Sequence, residues 1–246
     1  MKTKLMIDGV PVEAEFPDET VENVLYPLVK RLEEMQKAKG SRLIVALSAP
    51  PGAGKSTLAH FLETFSPTIQ AVGLDGFHRH QDYLLTHTVR KDGKSVPMAS
   101  IKGAPETFDL PHLKEKLDSL RDEDTLFPIY DRKLHDVVED AQKVSAPIVL
   151  VEGLWLLLDD PAWASLPFDA TIYLDAKESL IRPRLLLRKR RTGRTEEEAL
   201  FFYKTIDKPN YDLITAHHRE PDLMYQLHEN GKITQEAAKW HNFPTL

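Results

Sequence analysis

The sequence predicts an α/β fold: a parallel sheet covered on both faces by helices, with an N-terminal hairpin and helix placed before it. Three observations carry this. From Arg42 onward, short apolar runs alternate with segments of helical spacing. The runs are continuous in Leu, Ile, Val and Ala rather than alternating, as strands buried on both faces are. Several also end at a Gly-rich turn or a carboxylate, at the strand ends where open parallel sheets bind ligands.

The first forty residues read as a separate unit before a main domain over 41–246. Leu5-Met6-Ile7, a tight Asp8-Gly9 turn, and Val10 through Phe16 predict a hairpin, with Pro11 placing the second strand at an edge. Val21, Val24, Leu25, Leu28, Val29, Leu32 and Met35 then recur at steps of three and four, which predicts one apolar helix stripe. Pro27 should bend this helix early, and Gly40 should end it. Packing of the stripe on the main domain is favoured over a homodimer or partner surface, since single amphipathic stripes usually face a core.

In the main domain, strands are expected at Leu43–Leu47, Ile69–Leu74, Pro147–Val151 and Ala170–Leu174. Asp75, Glu152 and Asp175 follow the last three. Helices are expected from Lys55 and over Leu110–Leu120. Asp175 with Glu178 resembles a capping box opening another helix.

Composition narrows the function classes. Of 246 residues, 41% are hydrophobic and 28% charged, which excludes disorder along the whole chain. The 32 basic and 38 acidic residues give a net charge of −6, so nucleic acid and anionic membranes are not expected partners. Cysteine is absent, which removes disulfides and thiol chemistry and fits a cytoplasmic location. No apolar run is long enough to span a membrane, and the start lacks a signal-peptide segment.

Ser48-Ala49-Pro50-Pro51-Gly52-Ala53-Gly54-Lys55-Ser56-Thr57 follows the first buried strand and opens a helix. It matches a phosphate-binding loop except that Ala49 stands at the first Gly position. Backbone amides of Pro51 to Thr57, Pro51 itself lacking the N–H, would surround ATP phosphates at the positive end of a helix. Lys55 would reach the β- and γ-phosphates, and the Ser56 hydroxyl would ligate Mg²⁺. Gly73-Leu74-Asp75-Gly76-Phe77-His78 then puts a carboxylate at a strand end, where a kinase needs one to accept a hydroxyl proton. An isolated Asp before Gly would otherwise read as a turn residue.

Taken together, Ala49 to Thr57, Asp75-Gly76-Phe77 and Lys102-Gly103-Ala104-Pro105-Glu106-Thr107-Phe108-Asp109 resemble the phosphoribulokinase/uridine kinase family. The Lys102 to Asp109 string is similar to bacterial pantothenate kinases. Pro128-Ile129-Tyr130-Asp131 with His135 resembles the acceptor segment of uridine kinases, and Val151-Glu152-Gly153 resembles the family's Walker B-like strand end. The resemblance spans roughly residues 42 to 226 and implies a P-loop NTPase three-layer sandwich of the nucleoside-monophosphate-kinase-like kind. It also implies a role for each matching residue. Asp75 would be general base and Glu152 would hold Mg²⁺ through water. Asp109, Tyr130 and His135 would line the acceptor pocket. Lys102 belongs to the same string, and His78, three residues after Asp75, is placed to touch substrate.

Seven basic residues lie between Arg182 and Arg194 with no acid among them, where the family carries a lid. Arg188 and Arg194 are the candidates for stabilising charge on the transferring group, the other arginines reading equally as a solvated helix face. His78, His80 and His87, or His217 and His218, lack metal-ligand spacing. Lys208-Pro209-Asn210 is a candidate contact for the nucleotide base. The sequence therefore predicts an ATP- and Mg²⁺-dependent enzyme phosphorylating a hydroxyl of a small sugar-like, nucleoside or pantothenate-like acceptor. The alternative is a nucleotide-dependent regulatory ATPase signalling through the N-terminal helix, which would leave the Lys102 to Asp109 string and the Tyr130/His135 pair without a task.

Overall fold

Alternation in the first residues builds an antiparallel hairpin, β1 (Lys2–Ile7) and β2 (Val10–Glu15), which turns Leu5, Ile7 and Ala14 inward. The computed structural model describes residues 1–7, 9–91 and 93–239, so Asp8 of the expected turn lies outside the described residues. Pro11 stands opposite Met6 in this two-stranded sheet, where both strands are edges. The helical stripe follows as α1 (Asp18–Thr20), a π-turn over Val21–Leu25, and α2 (Tyr26–Lys39). Pro27 cannot donate to the preceding turn, and the disturbance is taken up by widened bonding, Tyr26 N–H donating to the Val21 carbonyl. Gly40, at φ 72°, ends the helix in the left-handed region.

The central elements are β3 (Leu43–Ser48), α3 (Lys55–Glu63), β4 (Ile69–Gly73), α4 (Gln81–Thr86), and a small hairpin of β5 (Thr88–Lys91) and β6 (Lys94–Pro97). Next come α5 (Leu110–Ser119), a long hairpin of β7 (Thr125–Asp131) and β8 (Asp136–Val144), then β9 (Ile148–Gly153). The chain finishes with α6 (Pro161–Ala164), β10 (Ala170–Ala176), α7 (Glu178–Arg191), α8 (Glu196–Phe202), α9 (Lys208–Ala216), β11 (Leu223–Leu227) and β12 (Ile233–Ala238). The main sheet has the order β12-β11-β10-β3-β9-β4, and its pairs are parallel except for β12.

Period-two geometry divides the core into two. Leu43, Val45 and Leu47 of β3 face α2, α3 and α7, alongside Leu32, Phe61 and Ile181. Ile44 and Ala46 point the other way, with Leu113 of α5 and Ile214 of α9. Helices thus cover both faces of the sheet, as the continuous apolar runs predict. The N-terminal stripe belongs to the first of these cores: Leu25 and Leu32 have no exposed surface, and Phe16 lies against Phe61 at 4.4 Å between ring centres.

Two expectations change. Asp175 does not cap α7: β10 continues to Ala176, and Lys177 is the N-cap with no side-chain hydrogen bond. The 125–144 stretch, assigned no element from sequence, is a hairpin laid along edge strand β4, where Gln70 Nε2 donates to the Lys143 carbonyl at 2.8 Å. Leu32→Ala should cost about 2–5 kcal/mol in urea unfolding, the range for a fully buried leucine in a shared core. A loss below about 0.5 kcal/mol, as at a free surface, would show that α2 does not stabilise the main domain.

Candidate active site

The phosphate loop runs from Ala49 to Gly54 between β3 and α3. Gly52 (φ 78°) and Gly54 (φ 93°) occupy the left-handed region, and a Cβ on Gly52 would stand 2.9 Å from the Leu185 side chain of α7. Ala49 needs no such freedom. It is fully buried and its methyl group belongs to the core that also holds Leu47 and Ala53. The Leu58 N–H donates to the Gly54 carbonyl at 2.9 Å, so Lys55, Ser56 and Thr57 form the first turn of α3. Their N–H groups have no intrahelical acceptor, which makes this end an anion site.

Glu152, at the end of β9, is buried at 8% exposure and accepts a 2.8 Å hydrogen bond from the Ser56 hydroxyl. The parallel register sets Leu47, Glu152 and Gly73 side by side on three adjacent strands. Asp75 follows Gly73 in a 3₁₀ turn over Leu74–Phe77, exposed, and its carboxylate has no hydrogen-bond partner among the described residues. Gly76 is required next to it by close approach rather than by backbone angle, because a Cβ there would meet the Pro128 carbonyl oxygen at 2.2 Å. That contact seats β7 over the Asp75 turn, and Phe77 fixes it from below, edge-on to Phe127 at 5.4 Å.

His78, Lys102, Tyr130 and His135 come together on one wall. His78 Nδ1 lies 2.9 Å from the Asp75 carbonyl oxygen, and its ring lies 4.0 Å from Phe108 and 5.6 Å from Tyr130. Burial pushes this imidazole below its ordinary pKa, against the pull of Asp75. Lys102 Nζ donates to Gln81 Oε1 at 2.8 Å and to the His135 carbonyl at 3.0 Å, and it stands 4.9 Å over the Tyr130 ring. His135 therefore contributes its main chain here, from a residue at φ 54° in the hairpin turn. Asp109 is more committed than the sequence suggests: it caps α5 by accepting from His112 N–H and pairs with Arg79 at 2.8 Å.

The basic segment is the last turn of α7 and the turn that follows. Arg188 and Arg194 are exposed, while Lys189 lies half-buried with Nζ 3.3 Å from the Phe202 ring centre. Arg194 approaches the same ring at 5.6 Å. Burial pushes the Lys189 ammonium down to about 8, with Asp207 opposing the shift. Asp207 is itself 6% exposed and held above the ordinary carboxylate range by burial, partly offset by Arg188 and Lys189. Pro183 is accommodated within the helix.

Arg79, Gln81, Trp155, Phe202 and Asp207 belong to this constellation, and the sequence reading missed them. None carries a spacing signal; each becomes visible only through a partner distant in the chain. Trp155 Nε1 and Asn210 Nδ2 both donate to the Gly103 carbonyl, at 2.9 and 3.4 Å, fixing the loop that presents Lys102. Asn210 thus meets this loop, and Lys208 pairs with Glu178 and Asp212. The histidines form no metal cluster: among the described residues no group of three or more His, Cys, Asp or Glu is placed to hold an ion. No helix is long and apolar enough to cross a membrane.

Comparison with known proteins identifies the family. The family model described as "Phosphoribulokinase / Uridine kinase family" matches residues 44–233. The protein named YggC from Escherichia coli K12 is 39% identical over 241 residues, covering 94% of this chain and 98% of that protein. A proposed uridine kinase of Schizosaccharomyces pombe, C227.14, is 30% identical over 230 residues, covering 87% of this chain and 94% of its own length. Among solved structures, a proposed fructose transport system kinase from Silicibacter sp. TM1040 superposes with a TM-score of 0.73 at 27% identity, covering 82% of this chain and 98% of that one. A phosphate loop at the head of a mostly parallel sheet, matched over most of the chain, makes this protein a member of the phosphoribulokinase/uridine kinase family of P-loop kinases.

Proposed function

We propose that the chain transfers the γ-phosphoryl group of ATP to a hydroxyl of a small polar metabolite, with Asp75 as general base. The observation that carries this is the position of Asp75: an exposed carboxylate without a side-chain partner, at the same carboxyl end of the sheet as the phosphate loop. In the reaction the bond between Pγ and the β,γ-bridging oxygen breaks, leaving ADP. A new bond forms between Pγ and the acceptor oxygen, whose proton passes to Asp75 and then to solvent.

The other residues have supporting tasks. The amides opening α3 and the Lys55 ammonium would hold the phosphates, and Arg188 and Arg194 would balance charge on the transferring group. His78, Lys102 and Tyr130 line the acceptor side, with Asp109 setting the start of α5 beside them. A cleft of about 590 Å³ between the start of α7 and the β11–β12 turn, lined in part by Leu180, Gln226 and Asn230, opens at the same sheet edge. It would take the nucleoside half of ATP.

Ser56 and Glu152 fit a magnesium ion. A hydroxyl and a carboxylate 2.8 Å apart are hard oxygen donors, few in number, as suits an ion that keeps water and phosphate oxygens around it. Ser56 would hold it directly and Glu152 through water. When bound, Mg²⁺ neutralises charge on the phosphate oxygens.

Asp75→Asn should bind ATP with near-normal affinity yet lose acceptor phosphorylation by about 10²–10⁴-fold, the usual contribution of a positioned base. Retained transfer in a folded Asp75→Asn protein would remove Asp75 from that role, and slow hydrolysis indifferent to any acceptor would favour a regulatory ATPase. Lys55→Ala should weaken both nucleotide binding by calorimetry and turnover. In a magnesium titration of activity, Glu152→Gln should raise the half-saturating concentration about 10–100-fold, and an unchanged midpoint would take Glu152 out of the metal shell.

A further inference from the structure

If Asp75 faces the acceptor hydroxyl, as proposed above, the charges around it decide what else the acceptor carries. The neighbouring acids are already engaged. Asp109 serves Arg79 and the α5 cap. Asp131 accepts from the Lys133 and Leu134 N–H groups, and Asp136 from those of Gln81 and Val137. None forms an ion pair with Lys102, and Asp136 acts on its charge only from beyond contact distance. An ammonium has three donors, and Lys102 spends two on neutral acceptors, the Gln81 amide oxygen and the His135 carbonyl. Among the described residues nothing takes the third. The π face of Tyr130 and the two tethers orient the charge without cancelling it. Burial favours the neutral form of His78 beside it, so Lys102 supplies the standing positive charge on this wall.

We propose that the acceptor is a polyhydroxylated anion, its carboxylate or phosphate held by Lys102 while one of its hydroxyls faces Asp75. A neutral sugar would leave the third donor of a half-buried ammonium without a charged acceptor. An anion instead gains a charge-assisted hydrogen bond to a side chain already fixed in place.

The test is ADP release at constant Mg²⁺-ATP and ionic strength. Acceptors are matched sets of four- to six-carbon aldoses, their aldonic acids and their phosphate esters, with uridine as a further neutral probe. In at least one set the acid or the phosphate should exceed its neutral parent in kcat/KM by about 30-fold, the scale of one hydrogen bond to a charged group. The two anionic arms identify which group Lys102 holds. In Lys102→Met that preference should fall to within about threefold, whereas Lys102→Arg, which restores the charge, should recover part of it. Preference for a neutral acceptor, or an undiminished preference in folded Lys102→Met, overturns the anionic acceptor and leaves phosphotransfer standing. ADP release unmoved by every acceptor, neutral or anionic, overturns phosphotransfer and this inference with it.

Discussion

The site depends on the pairing of β9 with β3 on one side and β4 on the other. Leu47, Glu152 and Gly73 share one level of the sheet, so the strands release their chains at the same edge. The chain after Leu47 becomes the phosphate loop, and the chain after Gly73 becomes the Asp75 turn. Glu152 remains between them and reaches Ser56. Side chains alternate across a sheet, so a slip of one residue in β9 would turn Glu152 to the opposite core and bring Val151 towards α3. Continuous burial of both faces makes such a slip costly, because Ile148 and Leu150 pack with α3 while Val149 and Val151 pack with α5. The hydrophobic pattern therefore specifies the relative positions of the polar groups without contacting any substrate.

The wall of His78, Lys102 and Tyr130 is assembled differently, mostly from segments that do not belong to the main sheet. Gly76 lets the β7–β8 hairpin approach the Asp75 turn to within contact of the backbone, and the Phe77–Phe127 pair holds it there. The Lys102 loop is anchored from the other direction, through the Gly103 carbonyl, by Trp155 and Asn210. Three distant parts of the chain thus converge on one wall, each fixed by a buried aromatic ring or a main-chain hydrogen bond. Lys102 and His78 on this wall hydrogen-bond to neutral partners, which fixes their positions.

This division explains what could be read from sequence. The phosphate loop, the buried strands and Asp75 were legible because each depends on local pattern: a glycine at positive φ, an uninterrupted apolar run, a carboxylate at its end. Ala49 was a departure from the loop motif in sequence, and the fold accounts for it by turning its methyl group into the core. The β7–β8 hairpin was missed because its pairing is irregular between Phe127 and Ile129 and much of β8 is solvent-exposed, which blurs the alternation. Strands β11 and β12 lacked a signal for a related reason, being short and partly polar at the end of the sheet. The capping box read at Asp175 failed because β10 runs two residues further than its apolar core. Asp109 was read only through its motif, and its tasks as the α5 cap and as the partner of Arg79 went unread, the second because Arg79 reaches it only across a fold in the chain.

The basic segment shows how such a charge concentration can persist on a chain of net −6. Two of its cations, Lys189 and Arg194, both approach the Phe202 ring. The acid that opposes its neighbours Arg188 and Lys189 is Asp207, buried and shifted towards its neutral form. Exposed carboxylates pairing directly with these cations would compete with phosphate for them. An aromatic face attracts a cation without offering a hydrogen-bond acceptor, and Asp207 acts on Arg188 and Lys189 from a buried position rather than from the surface. Such partners hold the end of α7 in place while leaving its positive potential directed outward.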